Sequence, residues 1–366
     1  MKRLAVSLLL VIAVAGGLAA AAPSAAVRRI DAPLLVKANT PSIAADGTGG
    51  FVVSFVDEKK KSFRFATYRD GKWSAARTIA SGDLLVNRAD FGSLAVEGKT
   101  IAAQWSTHYG HGAAIHLARS TDGGVTWTKA VTPHPALVSE FGFVSLLPAG
   151  EAVWLDGRTL KNGEEGEGDM QLRFSGDVLL DARVCDCCQT AMAMTSAGPV
   201  IAYRDRSGDE IRDISIVRRT TSGWTKPKTL HADGFRITGC PVNGPQLDAR
   251  GKRVVAVWFT DAQQQPRVQV AFSEDAGASF GTPVRIDGGR TQGKVDVALL
   301  PNGDAVATWL QDGMLYARRI SAKGTLGVPL PVARADGFAR IAVSKENVAV
   351  VWTAPDGAHF AMLERL

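Results

Sequence analysis

Ile101-Ala102-Ala103-Gln104-Trp105 is a short apolar segment ending in an aromatic residue, and the chain repeats it. Related segments are Phe51-Val52-Val53-Ser54-Phe55, Glu151-Ala152-Val153-Trp154, Val200-Ile201-Ala202-Tyr203, Val255-Ala256-Val257-Trp258, Ala305-Val306-Ala307-Thr308-Trp309 and Val348-Ala349-Val350-Val351-Trp352. From Phe55 the aromatic steps are 50, 49, 49, 55, 51 and 43 residues. A fixed period of this size, built from short strands and turn residues, marks a β-propeller. Seven repeats predict an all-β ring of seven four-stranded blades, with six as the alternative.

Around Trp105 the four strands of one unit read Ser93 to Val96, Thr100 to Trp105, Ala113 to Arg119 and Thr126 to Val131. The second strands are almost continuously apolar, as expected where stacked blades bury both sheet faces. The last unit has three strands before Leu366, while Leu34 to Lys37 precedes the first unit as an orphan strand. Pairing that orphan with the last blade would remove the open edge and close the ring. Links between strands one and two are tight, as at Glu97-Gly98-Lys99 and Asn302-Gly303. Loops on the opposite face are longer and polar: Ser106 to Gly112, Asp156 to Asp169, Arg204 to Asp213 and Leu230 to Pro245. A rigid scaffold carries function on such loops.

The 366 residues are 46% hydrophobic, enough for a large core and too few for a polytopic membrane protein. Met1-Lys2-Arg3, an apolar run from Leu4 to Leu18 and small residues to Ala22 read as a signal peptide, 1–22. The alternative, an anchor helix, needs a longer run. One domain, 27–366, follows, in a periplasmic or secreted protein with no membrane attachment after cleavage. The net charge of +6 is scattered, so nucleic acid is not an expected partner. A monomer is expected.

Ser120-Thr121-Asp122-Gly123-Gly124-Val125-Thr126-Trp127 and Ser273-Glu274-Asp275-Ala276-Gly277-Ala278-Ser279-Phe280 follow the pattern S-x-D-x-G-x-x-aromatic. Asp accepting backbone N–H groups and Gly at positive φ make this a turn, so Asp122 and Asp275 read as structural. The pattern resembles the Asp-box of the sialidase-like, or BNR-repeat, propellers. Cys185-Asp186-Cys187-Cys188-Gln189-Thr190 and Gly239-Cys240-Pro241-Val242-Asn243-Gly244-Pro245 resemble an exported bacterial subgroup of these proteins. The resemblance spans the mature chain and implies a fold rather than a reaction. Sialidases hold a carboxylate with three arginines, use an Asp as acid/base and a Tyr helped by a Glu as nucleophile. Their first-blade Phe/Tyr-Arg-Ile-Pro motif is interrupted here: Arg29-Ile30-Asp31-Ala32-Pro33 inserts Asp31-Ala32.

The polar loops hold or adjoin Arg88, Arg158, Arg204, Arg206, Arg212, Arg236, Arg290 and Arg340, with Asp90, Asp156, Asp205 and Glu210 as carboxylates and Tyr109 as a phenol. Arg suits bidentate capture of a carboxylate, so the expected ligand is an anionic small molecule or glycan. It is expected between the loops bearing Asp156-Gly157-Arg158 and Arg204 to Arg212, with Arg206 and Arg88 assisting. If hydrolysis occurs, Asp156 or Asp205 would be acid/base and Glu210 would orient a nucleophile. The alternative is that alternating signs such as Arg204-Asp205-Arg206 are ion pairs tying loops together, in a non-catalytic binding or assembly propeller.

All four cysteines lie on the same face. Export favours disulfides; Cys187–Cys188 is disfavoured as a bond between neighbours, so Cys240 is expected to pair with one of Cys185, Cys187 and Cys188. A thiolate metal site, joined by His231 or His108, or a redox pair are the rivals. C-x-C-C…C is not a standard zinc spacing, and no metal or cofactor is expected.

Overall fold

The computed structural model describes residues 25–161 and 168–366; the signal-peptide reading of residues 1–22 lies outside them. Strands form seven separate antiparallel sheets arranged as blades. Blade 1 comprises Ala38–Ala45, Phe51–Asp57 and Ser62–Arg69, with Lys72–Trp73 and Arg77–Ser81 sharing the outer position. Blade 2 is Ser93–Glu97, Thr100–Tyr109 and Gly112–Ser120. Blade 3 is Phe141–Leu146, Ala152–Asp156, Met170–Phe174 and Val178–Val184. Blades 4 to 6 begin with the inner strands Ala191–Thr195, Gln246–Arg250 and Thr291–Leu299. Blade 7 is Arg340–Ser344, Asn347–Ala354 and Gly357–Glu364, completed by Ala26–Arg29.

Each repeated aromatic residue is buried: Phe55, Trp105, Trp154, Tyr203, Trp258, Trp309 and Trp352. The apolar second strands pack on both sides. Seven hydrophobic clusters result, each spanning one junction between neighbouring blades around the ring. The closing cluster, between blades 7 and 1, joins Phe360, Val351 and Ala349 to Phe51, Phe55 and Tyr68. Inner strands are also tied through polar side chains. Asp248 accepts the Leu299 N–H at 2.7 Å, Asp296 the Ile341 N–H at 2.8 Å, and Ser145 Oγ the Met192 N–H at 3.0 Å.

Three expectations need correction. The closing strand is Ala26–Arg29, not Leu34 to Lys37. Pro33, which has a fixed φ and no N–H, instead starts a 3₁₀ turn over Pro33–Leu35. Leu35 fills the closing core, and Val36 makes only an isolated bridge to Gly357. Gly357 is required there, because a Cβ would meet Lys37 N at 2.7 Å. Second, blade 2 has no continuous fourth strand; Val131 makes a single bridge to Leu117. Thr126, at the head of the expected strand, is held by Asp122 through both its N–H and its hydroxyl. Third, the expected loop from Ser106 is strand as far as Tyr109, which pairs with Gly112 across a tight turn. His108 and Tyr109 therefore sit on a hairpin.

The two Asp turns are built as their residue types require. Asp122 accepts from Val125 N at 2.9 Å and Thr126 Oγ1 at 2.6 Å; Asp275 does the same for Ser279 N and Oγ. Trp127 meets Phe65 of blade 1 at 6.0 Å between ring centroids, so the turn pins a blade junction. Gly124 has φ +81°, and a Cβ on it would overlap the Phe65 ring. Gly124→Ala is expected to destabilise by about 2 kcal/mol or more, from backbone strain and overpacking. A urea midpoint unchanged from the parent would contradict this pinning role.

Candidate functional site

The arginine loops are organised by Glu210. Ser207 Oγ accepts the Ile211 N–H at 3.1 Å, and its backbone C=O accepts the Glu210 N–H, making a compact turn over 207–211. Glu210 has φ +56°. Its carboxylate receives Arg206 Nη2 at 3.0 Å, Arg212 Nη2 at 2.8 Å and Arg183 Nη2 at 3.3 Å. Arg206 hydrogen bonds, reinforced by Arg212, hold the Glu210 carboxyl down to about 2. Arg206 also reaches Asp186 at 3.5 Å.

A folded-state pKa below the ordinary 4.5 means that this cluster stabilises the fold above about pH 4.5. That stabilisation is lost as pH falls toward about 2. Glu210→Gln should flatten the stability profile in this window and lower stability at pH 7. Urea melts at stepped pH measure it; parallel curves for parent and variant would contradict the assignment.

Asp156 and Arg158 form a second closed group. Arg158 Nε and Nη2 bind Asp156 at 2.7 and 2.8 Å, and Nη1 and Nη2 bind Asp177 at 3.0 and 2.6 Å. Trp154 Nε1 donates to Asp156 at 2.9 Å. Asp205 accepts from Ser215 Oγ at 2.8 Å and from Arg206 N at 2.7 Å, and burial raises its pKa. Arg204 is buried and donates to three backbone carbonyls: Asn243 O, Phe259 O and Arg212 O. Its guanidinium also stacks on Phe235 at 5.3 Å. Arg88 pairs with Asp336, away from the Glu210 group. The tyrosines differ: Tyr203 is buried and donates to Asp181 at 2.6 Å, whereas Tyr109 is exposed.

The loop over 230–245 is fastened by acids the sequence reading did not single out. Asp213 accepts the Gly234 and Phe235 N–H groups. Asp233 accepts Trp258 Nε1 at 2.7 Å, Gln269 Nε2 at 2.6 Å and His231 Nδ1 at 3.1 Å, which places His231 on Asp233. Cys187 and Cys240 form a disulfide with Cα atoms 6.2 Å apart, and Cys185 and Cys188 are free thiols.

The inner strands surround a cavity of about 740 Å³ lined by Asp90, Phe91, Gln189, Thr190, Asp248, Asp296 and Arg340 among others. Burial raises the Asp90 and Asp296 carboxyls to about 6. Arg340 is half-buried, stacked on Phe91 at 4.9 Å and on Phe338 at 5.7 Å. Desolvation lowers its pKa, with Asp296 opposing the shift. Among the described residues no carboxylate lies within 4.0 Å of it. Its guanidinium makes a long 3.4 Å hydrogen bond to Ala339 O. Arg340 and Asp90 were among the sequence candidates, whereas Asp248 and Asp296 were not. A charged residue flanked by apolar ones in a first strand, as in Val295-Asp296-Val297, was the available signal.

No protein-family model and no curated protein matches the sequence. Solved structures do match. AofleA from Arthrobotrys oligospora aligns with a TM-score of 0.55 at 11% identity, over 90% of this chain and 84% of that one. A six-bladed β-propeller fungal lectin from Aleuria aurantia, described for its fucose recognition, gives 0.50 at 14%, over 88% and 91%. The Hadza microbial sialidase Hz136 gives 0.46 at 13%, over 90% of this chain and 66% of that one. At these identities the likeness to AofleA and to the fungal lectin, with TM-scores of 0.55 and 0.50, is one of fold.

Proposed function

We propose that this chain is a glycan-binding propeller, and that its central cavity receives the carboxylate of an acidic sugar on Arg340. One observation carries the reading. Arg340 lines the central cavity, lies over the Phe91 and Phe338 rings, and among the described residues has no carboxylate within 4.0 Å, Asp296 acting on it at longer range. A planar guanidinium held in this way suits bidentate capture of a carboxylate. By contrast, Arg158, Arg206 and Arg212 already hold acids, and Arg204 holds backbone carbonyls.

The loop acids Asp156 and Glu210 are tied up, while Asp90 and Asp296, raised to about 6 by burial, line the cavity itself. Asp156 is enclosed by Trp154 and Arg158, and Glu210 is clamped in its ionised form by three arginines. A general acid must instead be able to hold and release a proton beside the scissile bond. Fucose recognition by a lectin of propeller fold makes a sugar a reasonable class of ligand for this architecture. A secreted or periplasmic monomer belongs to the same proposal.

Isothermal titration with N-acetylneuraminic acid, glucuronic acid and neutral fucose tests it. The acidic sugars should bind and fucose should bind more weakly. Arg340→Gln should weaken the acidic sugars about tenfold or more, the equivalent of a charged hydrogen bond. Absence of binding, or equal binding by Arg340→Gln, would overturn the proposal.

A further inference from the structure

Four sulfurs meet where the loops leading into blades 4 and 5 adjoin. Cys187 and Cys240 are bonded, while Cys185 and Cys188 are free and have their Sγ atoms 3.2 Å apart. The Sγ atoms of Cys185, Cys187 and Cys188 all lie within 4.8 Å of one another. Exposure rises along the set. Cys185 and Cys188 are 1% exposed, Cys187 is 7% exposed, and Cys240 is exposed. Cys187 also lines a second cavity of about 280 Å³, which shares Ala89, Asp90 and Phe143 with the central one.

The inner pair is differentiated. Arg212 Nη1 lies 3.4 Å from Cys185 Sγ. The Cys188 hydrogen bond, with the Arg204 charge and hydrogen bonds from the Cys187 backbone and Arg212, brings the Cys185 thiol down to about 6 against the effect of burial. Burial pushes Cys188 up. A thiolate beside a protonated thiol is the arrangement of an attacking and a resolving cysteine.

We infer that the four cysteines form a thiol–disulfide relay, in which the buried Cys185/Cys188 dithiol passes two electrons through the Cys187–Cys240 disulfide to external disulfides. The Cys185 thiolate attacks Cys187 Sγ. A Cys185–Cys187 bond forms, the Cys187–Cys240 bond breaks, and Cys240 leaves with the electron pair as a thiolate. Attack on Cys187 by Cys188 is disfavoured because neighbouring cysteines strain the peptide between them. Cys188 gives its proton to Cys240 and attacks Cys185 Sγ, forming Cys185–Cys188 and releasing Cys187 as a thiolate. To this point no outside reagent is consumed.

Exposed Cys240 then attacks a disulfide RSSR, forming a mixed disulfide and releasing one thiol. Cys187 resolves it, restoring Cys187–Cys240 and releasing the second. In sum, one dithiol and one RSSR become one buried disulfide and two RSH. The partner class is an accessible protein disulfide or a low-mass disulfide. This goes beyond sugar binding and does not depend on it.

The test uses the purified protein with oxidised glutathione, acid quenching, alkylation and peptide mapping. The parent should consume one equivalent, release two glutathione thiols and gain a Cys185–Cys188 bond while keeping Cys187–Cys240. A Cys187→Ser/Cys240→Ser variant keeps the buried pair but lacks the outer one, and should oxidise at least about tenfold more slowly. Equal rates, or a parent that keeps two free thiols in excess oxidised glutathione, would overturn the relay. If the variant does not fold, the parent alone decides. Held at pH 8 without oxidant, it should show a minor isomer with Cys185–Cys188 bonded and Cys187 and Cys240 free. Absence of that isomer would overturn the relay.

Discussion

A chain lacking the residues before Lys37 should melt about 10 °C or more below the parent. Ala26–Arg29 pairs along the free edge of blade 7, from Ala26 opposite Glu364 to Arg29 opposite Ala361. Ile30 N–H continues the ladder to Phe360 O at 3.1 Å. Leu35 is fully buried between blades 7 and 1, and Trp73 donates to Asp31 O at 3.1 Å. Loss of a buried Leu alone costs about 2–5 kcal/mol. The opened edge and uncovered Phe360 region add to that, and in a chain this long each kcal/mol moves the melting temperature by about 2 °C. Differential scanning calorimetry measures the drop, and Leu35→Ala separates the packing share from the strand share. A truncated chain melting within a degree or two of the parent would show that the ring does not depend on this closure.

Arg204→Met should be the most damaging single substitution among the loop arginines, at about 3–5 kcal/mol. The guanidinium joins Asn243 O, Phe259 O and Arg212 O, so it ties blade 4 to the loop before blade 5 and to the second strand of blade 5. Methionine keeps most of the apolar stem but leaves three carbonyls without this donor, and each unpaired buried group costs about 1–3 kcal/mol. The sequence reading placed this residue among the arginines expected to bind the ligand. The geometry reverses that expectation, because a bonded buried arginine acts first on the fold. Urea denaturation decides: a loss under 1 kcal/mol would return Arg204 to the ligand candidates.

The architecture was readable because one period carries it. Phe55, Trp105 and their counterparts recur with apolar neighbours, and each lands in a blade junction. The closure was readable in kind but not in place. Leu34 to Lys37 has strand-like composition, yet Pro33 starts a turn and Leu35 packs as a plug. Ala26–Arg29 has little apolar signal, and its pairing is set by the edge it meets.

The candidate site was legible as a set of residue types and not as an arrangement. Charge alternation in Arg204-Asp205-Arg206 fits either a ligand face or a set of ties. Choosing between them needs to know that Arg183, from the preceding blade, also reaches Glu210. Arg340 stands apart only once Phe91 and Phe338, distant from each other in sequence, are brought against it. The cysteines behaved similarly. Export and a shared face predicted a bond from Cys240 to the cluster, and folding selected Cys187.

The most direct test is a crystal structure of the protein soaked with N-acetylneuraminic acid. The sugar should lie in the central cavity, with its carboxylate within hydrogen-bonding distance of the Arg340 guanidinium and its ring beside Phe91. Sugar bound instead against Arg158 or the Glu210 cluster, or a cavity left empty at saturating sugar, would contradict it.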